Sequence, residues 1–380
     1  MAGKLKVDVL ETVDATGTIT INNDIAMAST KTLPAASLTG ALPAISAANL
    51  TAIPAANITG TLPAISGANL TGIQGMEIVG GTKNTYSGYE SRTFLDGGSF
   101  YLPTAKTVDF ILLGGGGGGG NHTTTNANGG GGAGGMVLAT GYSLAAGSYH
   151  VKIGKGGQGY RPGNQGRGHR GEDSQFAGFV AHGGGGGGAT GRTTQGDGAQ
   201  GDHMPSCHGG CGGGKAQGAD DDTKGTTTQP TYSGTANVTG VGYDGGLTTT
   251  SWQGSGGGGV GAAGTNGSPT RGNGGIGVAN VYETGSAKYI GGGGGGGGNS
   301  SENSGDGYYG GGRGCGTTAQ YHHQTFPYGV TNSTTYGSAQ PDAIPNTGGG
   351  GGAGSYWFST YWGWGGGNGG SGYFCIRWAV

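Results

Sequence analysis

The chain has 380 residues, of which 101 are Gly, only 10% are charged, and the formal net charge is −2. That glycine content is far above the ~7% of ordinary proteins, and hydrophobic residues at 32% argue against one large apolar core. The near-neutral balance excludes an electrostatic footprint for nucleic acid or an anionic membrane, and it is unlike disordered chains, which carry high net charge.

Residues 5–25 (LKVDVLETVDATGTITINNDI) alternate apolar and polar positions around Asp14-Ala15-Thr16-Gly17. That pattern predicts a β-hairpin, and residues 1–30 are read as an attachment segment. Residues 31–75 hold an internal repeat: 42–53 (LPAISAANLTAI) returns as 62–73 (LPAISGANLTGI), and 35–44 (AASLTGALPA) returns as 55–64 (AANITGTLPA). Both pairs share one offset, and the Leu and Ile positions are separated by small residues and Pro. Such a thin ribbon cannot bury its apolar side alone and needs a neighbour to pack on. Three chains winding together supply that neighbour, so a trimeric shaft is expected; a monomeric solenoid of so few units would be marginal.

Residues 76–113 form a β-like lead-in, and residues 114–380 hold nearly all the glycine. Gly114 to Gly120, Gly183 to Gly188 and Gly291 to Gly298 are uninterrupted, and shorter or broken runs recur to the C-terminus. Collagen requires Gly at every third position with abundant Pro, and this chain has Gly blocks and 12 Pro. Polyglycine II is the remaining ordered form: three residues per turn, a rise of ~3.1 Å, and no internal hydrogen bonds. Every N–H and C=O then points outward and needs a partner when buried. Without Cβ atoms such helices can bond one another on all sides, with weak Cα–H···O contacts added. The expected fold class is mainly β plus polyglycine II: an N-terminal β-hairpin, a thin trimeric repeat shaft, and a head of small β-sheet segments and stacked glycine helices with loops.

If consecutive runs alternate in direction, connectors alternate between two ends of the slab, and strand 106–113 marks the base. Counting on, 136–153, 172–182, 278–290 and 373–380 return to the base. The opposite end receives 121–128, 160–162, 189–208, 265–271, 299–309 and 355–362. The same count puts 215–255 and 317–347 at the base, although Tyr321, His322, His323, Phe326 and Tyr328 look equally adhesive. Segment 355–362 (SYWFSTYW) is the most distinctive. Exposed aromatics give rigid contact area with polar handles, suited to sugar faces or protein hot spots. The expected tip-loop binding residues are Tyr308, Tyr309, Tyr356, Trp357, Phe358, Tyr361 and Trp362, with His122, Arg192 and His203. The bland alternative is that some of these aromatics cover the slab edge as a local core.

Catalytic signatures are weak. The stretch 209–215 nearly spells a P-loop, but Ala216 replaces Ser/Thr and no strand precedes it. No GxSxG elbow or HExxH helix occurs. Cys207 and Cys211 have the spacing of half a metal site, with His203 or Cys315 as completing ligands, yet a second pair is missing. Asp220, Asp221 and Asp222 begin like a calcium loop that no Glu closes. Asp220–Asp222, Glu302 and Asp306 are the carboxylates a glycosidase pair would draw on, and nothing brings two of them together. No catalytic role, metal or cofactor is expected.

Residues 92–120 (RTFLDGGSFYLPTAKTVDFILLGGGGGGG) resemble the opening of the glycine-rich domain found in many phage tail-fibre proteins, where an apolar strand runs into polyglycine. The likeness continues through 130–136, 149–157 (YHVKIGKGG), 173–179 and 183–188, and closes at 372–378 (GYFCIRW). The glycine blocks are also similar to the tip adhesins of T-even-like phages, whose loops between glycine helices contact the host. Those adhesins are separate proteins bound to a fibre end, whereas here shaft and head share one chain. The resemblance implies a receptor-binding tail fibre: a homotrimer held by a virion tail or baseplate protein at its N-terminus, meeting a bacterial surface glycan or outer-membrane protein. It implies no nucleic acid partner and no membrane insertion. The start of the chain (MAGKLKV) lacks the apolar core of a secretory signal and nothing approaches a transmembrane span, as expected of a virion protein made in the host cytoplasm. Two rival classes are a tailspike that depolymerises host polysaccharide, and a glycine-rich structural or ice-binding protein.

Overall fold

A computed structural model describes residues 80–122, 127–160, 166–189, 207–217, 224–248, 253–267, 272–298, 304–315, 342–354 and 365–380. The chain divides into two compact units, Met1–Thr71 and Gly72–Val380, and every described residue belongs to the second. The hairpin expected over 5–25 and the repeat shaft therefore lie outside the described residues. Within them the protein is mainly β-sheet, with no helix.

Twelve strands make three antiparallel sheets. The largest has the order β1 (Thr82–Tyr86), β2 (Tyr89–Phe94), β12 (Tyr373–Ala379), β4 (Lys106–Leu113), β5 (Met136–Leu144), β9 (Val238–Val241). A second runs β3 (Gly98–Leu102), β6 (Gly147–Lys152), β7 (Ser174–Phe176), β8 (Phe179–Ala181), and β10 (Val278–Asn280) pairs β11 (Lys288–Ile290). Strand β12 is inserted between β2 and β4, so residues 373–379 complete the sheet that β1 and β2 open.

The two-residue period of a strand sorts its side chains onto two faces. Val108, Phe110 and Leu112 of β4 and Phe374, Ile376 and Trp378 of β12 join Phe100, Val151, Phe176 and Phe179 in a core between the two larger sheets. Phe110 sits at its centre, with ring contacts to Tyr142, Phe176, Phe179 and Phe374. The intervening Ile111, Leu113, Tyr373 and Cys375 face the other way, against Met136, Val260 and Ile290. Both faces of the sheet are covered, which is why β4 ends in the unbroken apolar run Phe110 to Leu113.

From these strands the chain passes into extended glycine segments. Residues 114–121 lie at the centre of the lattice. Successive N–H groups of this segment bond three neighbours in rotation: Gly114, Gly117 and Gly120 donate to Gly135, Gly132 and Gly129; Gly115 and Gly118 to Glu172 and His169; Gly116 and Gly119 to Gly370 and Gly367. Its carbonyls accept from three more neighbours, through Gly184 and Gly187, Gly157 and Tyr160, and Gly351 and Gly354. Descending numbers mark the donor-side neighbours as antiparallel and ascending numbers mark the acceptor-side ones as parallel. Segment 127–135 likewise meets six partners. Exposure at the lattice surface repeats with the same three-residue period, as in Lys152, Lys155 and Gln158.

Glycine is required here because of close approach. A Cβ on Gly117 would collide with the carbonyl of Gly185, and one on Gly118 with that of Gln158. Each interior glycine gains about one hydrogen bond, worth a net ~1 kcal/mol, against a backbone ordering cost of ~1–2 kcal/mol. Ordering therefore costs the lattice at least what its hydrogen bonds return, and it leans on the apolar sandwich from which its segments issue.

Candidate binding face at the far end of the glycine lattice

Hydrogen-bond register fixes the direction of every segment relative to the sheets. Outward segments leave β4, β6, β8, β9 and β11, and others start from tight turns; returning segments enter β5, β7, β10 and β12. The alternation is strict throughout the described chain. The outgoing segments reach the end remote from the sheets at residues 122, 160, 189, 217, 248, 267, 298, 315 and 354. At this end Asn121 and Asn128 are buried, Asn128 donates to the Gly354 carbonyl at 3.1 Å, and Thr248 donates to that of Gln253 at 2.7 Å.

The tip candidates separate by position. His122 is half-buried at this end, next to the bridge between Asn121 and Gly166. Segment 355–362 departs from Gly354 and is followed by the returning segment 365–372, so both flanks are at the far end. Tyr356, Trp357, Phe358, Tyr361, Trp362, Arg192 and His203 themselves lie outside the described residues.

Tyr308 and Tyr309 are not at the tip. Tyr308 accepts the Gly311 N–H at 2.9 Å, and Tyr309 and Gly310 both have positive φ (50° and 98°), which makes a two-residue reversal at the sheet end. Tyr309 stacks on Tyr289 of β11, with ring centroids 4.5 Å apart and planes 13° from parallel. That contact seats the turn.

A further placement is corrected. Segment 215–255 is not one base connector: 211–217 runs outward beside 182–189, since Gly185 and Gly188 donate to Cys211 and Gly214. The chain re-enters at Cys207, whose carbonyl accepts from Gly213, and reverses at the sheet end near Gly210, which donates to Gly183. Of segment 317–347 only 342–347 is described: Cys315 before it is at the far end, and the Asp342 carboxylate accepts the Asn368 N–H at 2.6 Å. Its last residues, where Thr347 Oγ1 donates to the Ile344 carbonyl, form a sheet-end turn as expected.

The cysteines do not gather into a site. Burial pushes the Cys211 and Cys315 thiols up to about 12, and Cys211 packs in the second apolar cluster with its Sγ 3.7 Å from the Gly134 carbonyl. Among the described residues no three His, Cys, Asp or Glu side chains are grouped to hold a metal ion.

A cluster that sequence reasoning did not single out covers the outer face of the large sheet. Arg377 lies between the rings of Tyr89 (4.4 Å) and Tyr282 (4.0 Å), with its Nε 3.0 Å from Asp109 Oδ2. Burial, followed by the Cys375 and Glu283 charges, raises the pKa of the Tyr373 phenol, which donates to Glu283 at 2.9 Å. Asn280 donates to that phenol and Lys288 pairs with Glu283. The cluster locks the β10–β11 hairpin to the sheet. Alternating strand pattern was its only sequence signal, because its members are up to 288 positions apart.

No curated protein sequence matches the chain. The family described as a glycine-rich domain matches residues 93–308, more than half of the chain. These limits take in strands β3 to β11 and much of the lattice but neither β1 nor β12, and the chain belongs to this glycine-rich domain family.

Proposed function

We propose that this protein is a phage tail fibre whose glycine-rich head binds the bacterial surface through loops carried between polyglycine II helices. The observation that carries the reading is the strict alternation of glycine segments, which puts the outer ends of the segments at one end and the packed sheets at the other. A rigid scaffold with variable polar and aromatic connectors at one end is a common arrangement for recognition. Rotation of hydrogen-bond partners every three residues supports the polyglycine II conformation. In this proposal the repeat of 33–73 is a trimeric shaft, the N-terminal segment is held by a tail or baseplate protein, and the protein acts as part of the virion. The partner is a surface glycan or outer-membrane protein, met by Tyr356, Trp357, Phe358, Tyr361 and Trp362 with His122, Arg192 and His203.

The test is adsorption. Replacing Trp357 and Trp362 with Ala in the full chain is expected to abolish attachment to host cells while scattering still reports a trimer. Unchanged attachment refutes the tip assignment, and a monomeric wild-type chain refutes the shaft. Release of reducing ends from host polysaccharide, lost on changing one carboxylate, would make the protein a depolymerase instead.

A further inference from the structure

The four-stranded sheet is incomplete at one corner. Strand β3 pairs along β6 from Gly147 to Val151, whereas β7 pairs with β6 only at Val151 and Lys152 before the chain reverses at Ala177–Gly178. Among the described residues, Ser148, Tyr149 and His150 are therefore flanked by a strand on one side only. The missing strand leaves an open cleft of about 350 Å³, lined by those three residues with Gln175, Phe176 and the turn through Val180. That volume is at the small end of ligand sites, with room for a small ring system.

Four observations limit what the cleft accepts. None of its lining residues is Asp, Glu, Lys or Arg, so nothing in it selects a charged ligand. Exposed Ser148, His150 and Gln175 supply a hydroxyl, an imidazole and an amide, groups that both donate and accept. Half-buried Tyr149 is immobilised: its ring packs on Phe100 and Phe176, and its hydroxyl donates to the Ala145 carbonyl at 2.8 Å. The reversal is also strained, because Ala177 holds φ 49° where Asn or Gly is usual. An L-residue there is strained, and the methyl it contributes lines the cleft and packs on the core. Backbone strain of this kind clusters at ligand sites.

We propose that this cleft is a second binding site, at the sheet end, for an uncharged saccharide ring. A fixed aromatic wall with neutral hydrogen-bonding groups around it fits a hexose or N-acetylhexosamine, which has apolar C–H faces and a hydroxyl periphery. An added peptide strand fits less well, because the free edge of β6 spans three residues and ends at the turn. The site is independent of the tip proposed above.

Ligand-observed NMR on the full chain, with a panel of neutral hexoses and N-acetylhexosamines, acidic sugars and an extended peptide, tests this. At least one neutral sugar is expected to bind saturably. Ser148→Arg, which fills the cleft, should weaken that sugar at least tenfold at unchanged melting temperature, and Ala177→Gly should weaken it without lowering stability. Trp357→Ala with Trp362→Ala should leave the signal intact, so failure of the tip and failure of the cleft are read separately. Binding of acidic sugars or peptide alone, absence of any binding, or neutral-sugar binding that survives Ser148→Arg would overturn the proposal.

Discussion

The sandwich and the glycine lattice share one chain but are held by opposite means. In the sandwich, side chains do the packing: Phe100, Phe110, Phe176 and Phe374 are fully buried, and backbone bonds only align the strands. In the lattice the backbone is the packing surface, and each peptide group bonds a different neighbour from the next. The sandwich tolerates loss of volume by partial collapse, at a cost in proportion. The lattice tolerates no gain, because its spacing is set by carbonyl oxygens that a methyl group would strike. Rigidity at the far end therefore depends on the absence of side chains rather than on their fit.

Substitution at the centre of the lattice should break this comparison open most widely. Gly117→Ala is expected to prevent folding, a loss above ~5 kcal/mol, since its methyl meets the Gly185 carbonyl. Gly234→Ala is the control: that glycine is exposed with nothing within 4 Å of the added atom, and its melting temperature should stay within a degree or two of wild type. A folded Gly117→Ala protein with near-native melting would mean that the lattice is loosely packed. Phe110→Ala is next in size, at ~3–5 kcal/mol by chemical denaturation, because its ring touches four other aromatics. A smaller loss than this would show the sandwich to be less well packed than its ring contacts imply.

At the outer face of the sheet the cost falls again. Arg377→Met keeps the apolar stem but leaves Asp109 with the Gly141 N–H, at 2.8 Å, as its remaining partner. Loss of the ion pair and of two ring contacts should lower stability by ~2 kcal/mol. Arg377→Lys should not restore it, because a point charge cannot lie flat between two rings. Full rescue by Lys would reduce the cluster to simple charge pairing.

Much of this was legible in the sequence. The unbroken apolar run before Gly114 marks a strand covered on both faces, and strict alternation of glycine segments predicts which connectors return to the sheets. Segments 136–153, 172–182, 278–290 and 373–380 do return there. The count failed where reversals are built from the same residues as the segments themselves. Near Gly210, at Tyr308–Gly311 and at Ile344–Thr347 the chain turns within three or four residues, and glycine on either side hides the boundary. Each missed turn inverts the direction assigned to the segments that follow until another missed turn restores it, so the outward run 211–217 and the far-end position of Cys315 were not foreseen. Tyr309 misled for a different reason: aromatic content signals a sticky loop, but only cross-strand geometry shows that Tyr289 already covers the ring. The cleft beside β6 had no sequence signal at all, since it arises from a strand that stops early.

The reversals also offer the mildest test of how the two regions differ. Three two-residue turns, at Ser87–Gly88, Ala177–Gly178 and Tyr309–Gly310, have positive φ at both positions. Asn-Gly is the preferred pair for such a turn, because Asn tolerates the left-handed region. Ser87 is exposed and joins β1 to β2, so Ser87→Asn should stabilise by ~0.5–1 kcal/mol, read as a small rise in melting temperature. The same change at Tyr309 should not stabilise, because relief of strain is offset by loss of the stack on Tyr289 that seats the lattice turn against a strand. Equal gains at both positions would mean that the stack contributes nothing. Opposite signs would show that turns facing the lattice are selected for docking, whereas those within the sheet answer only to backbone preference.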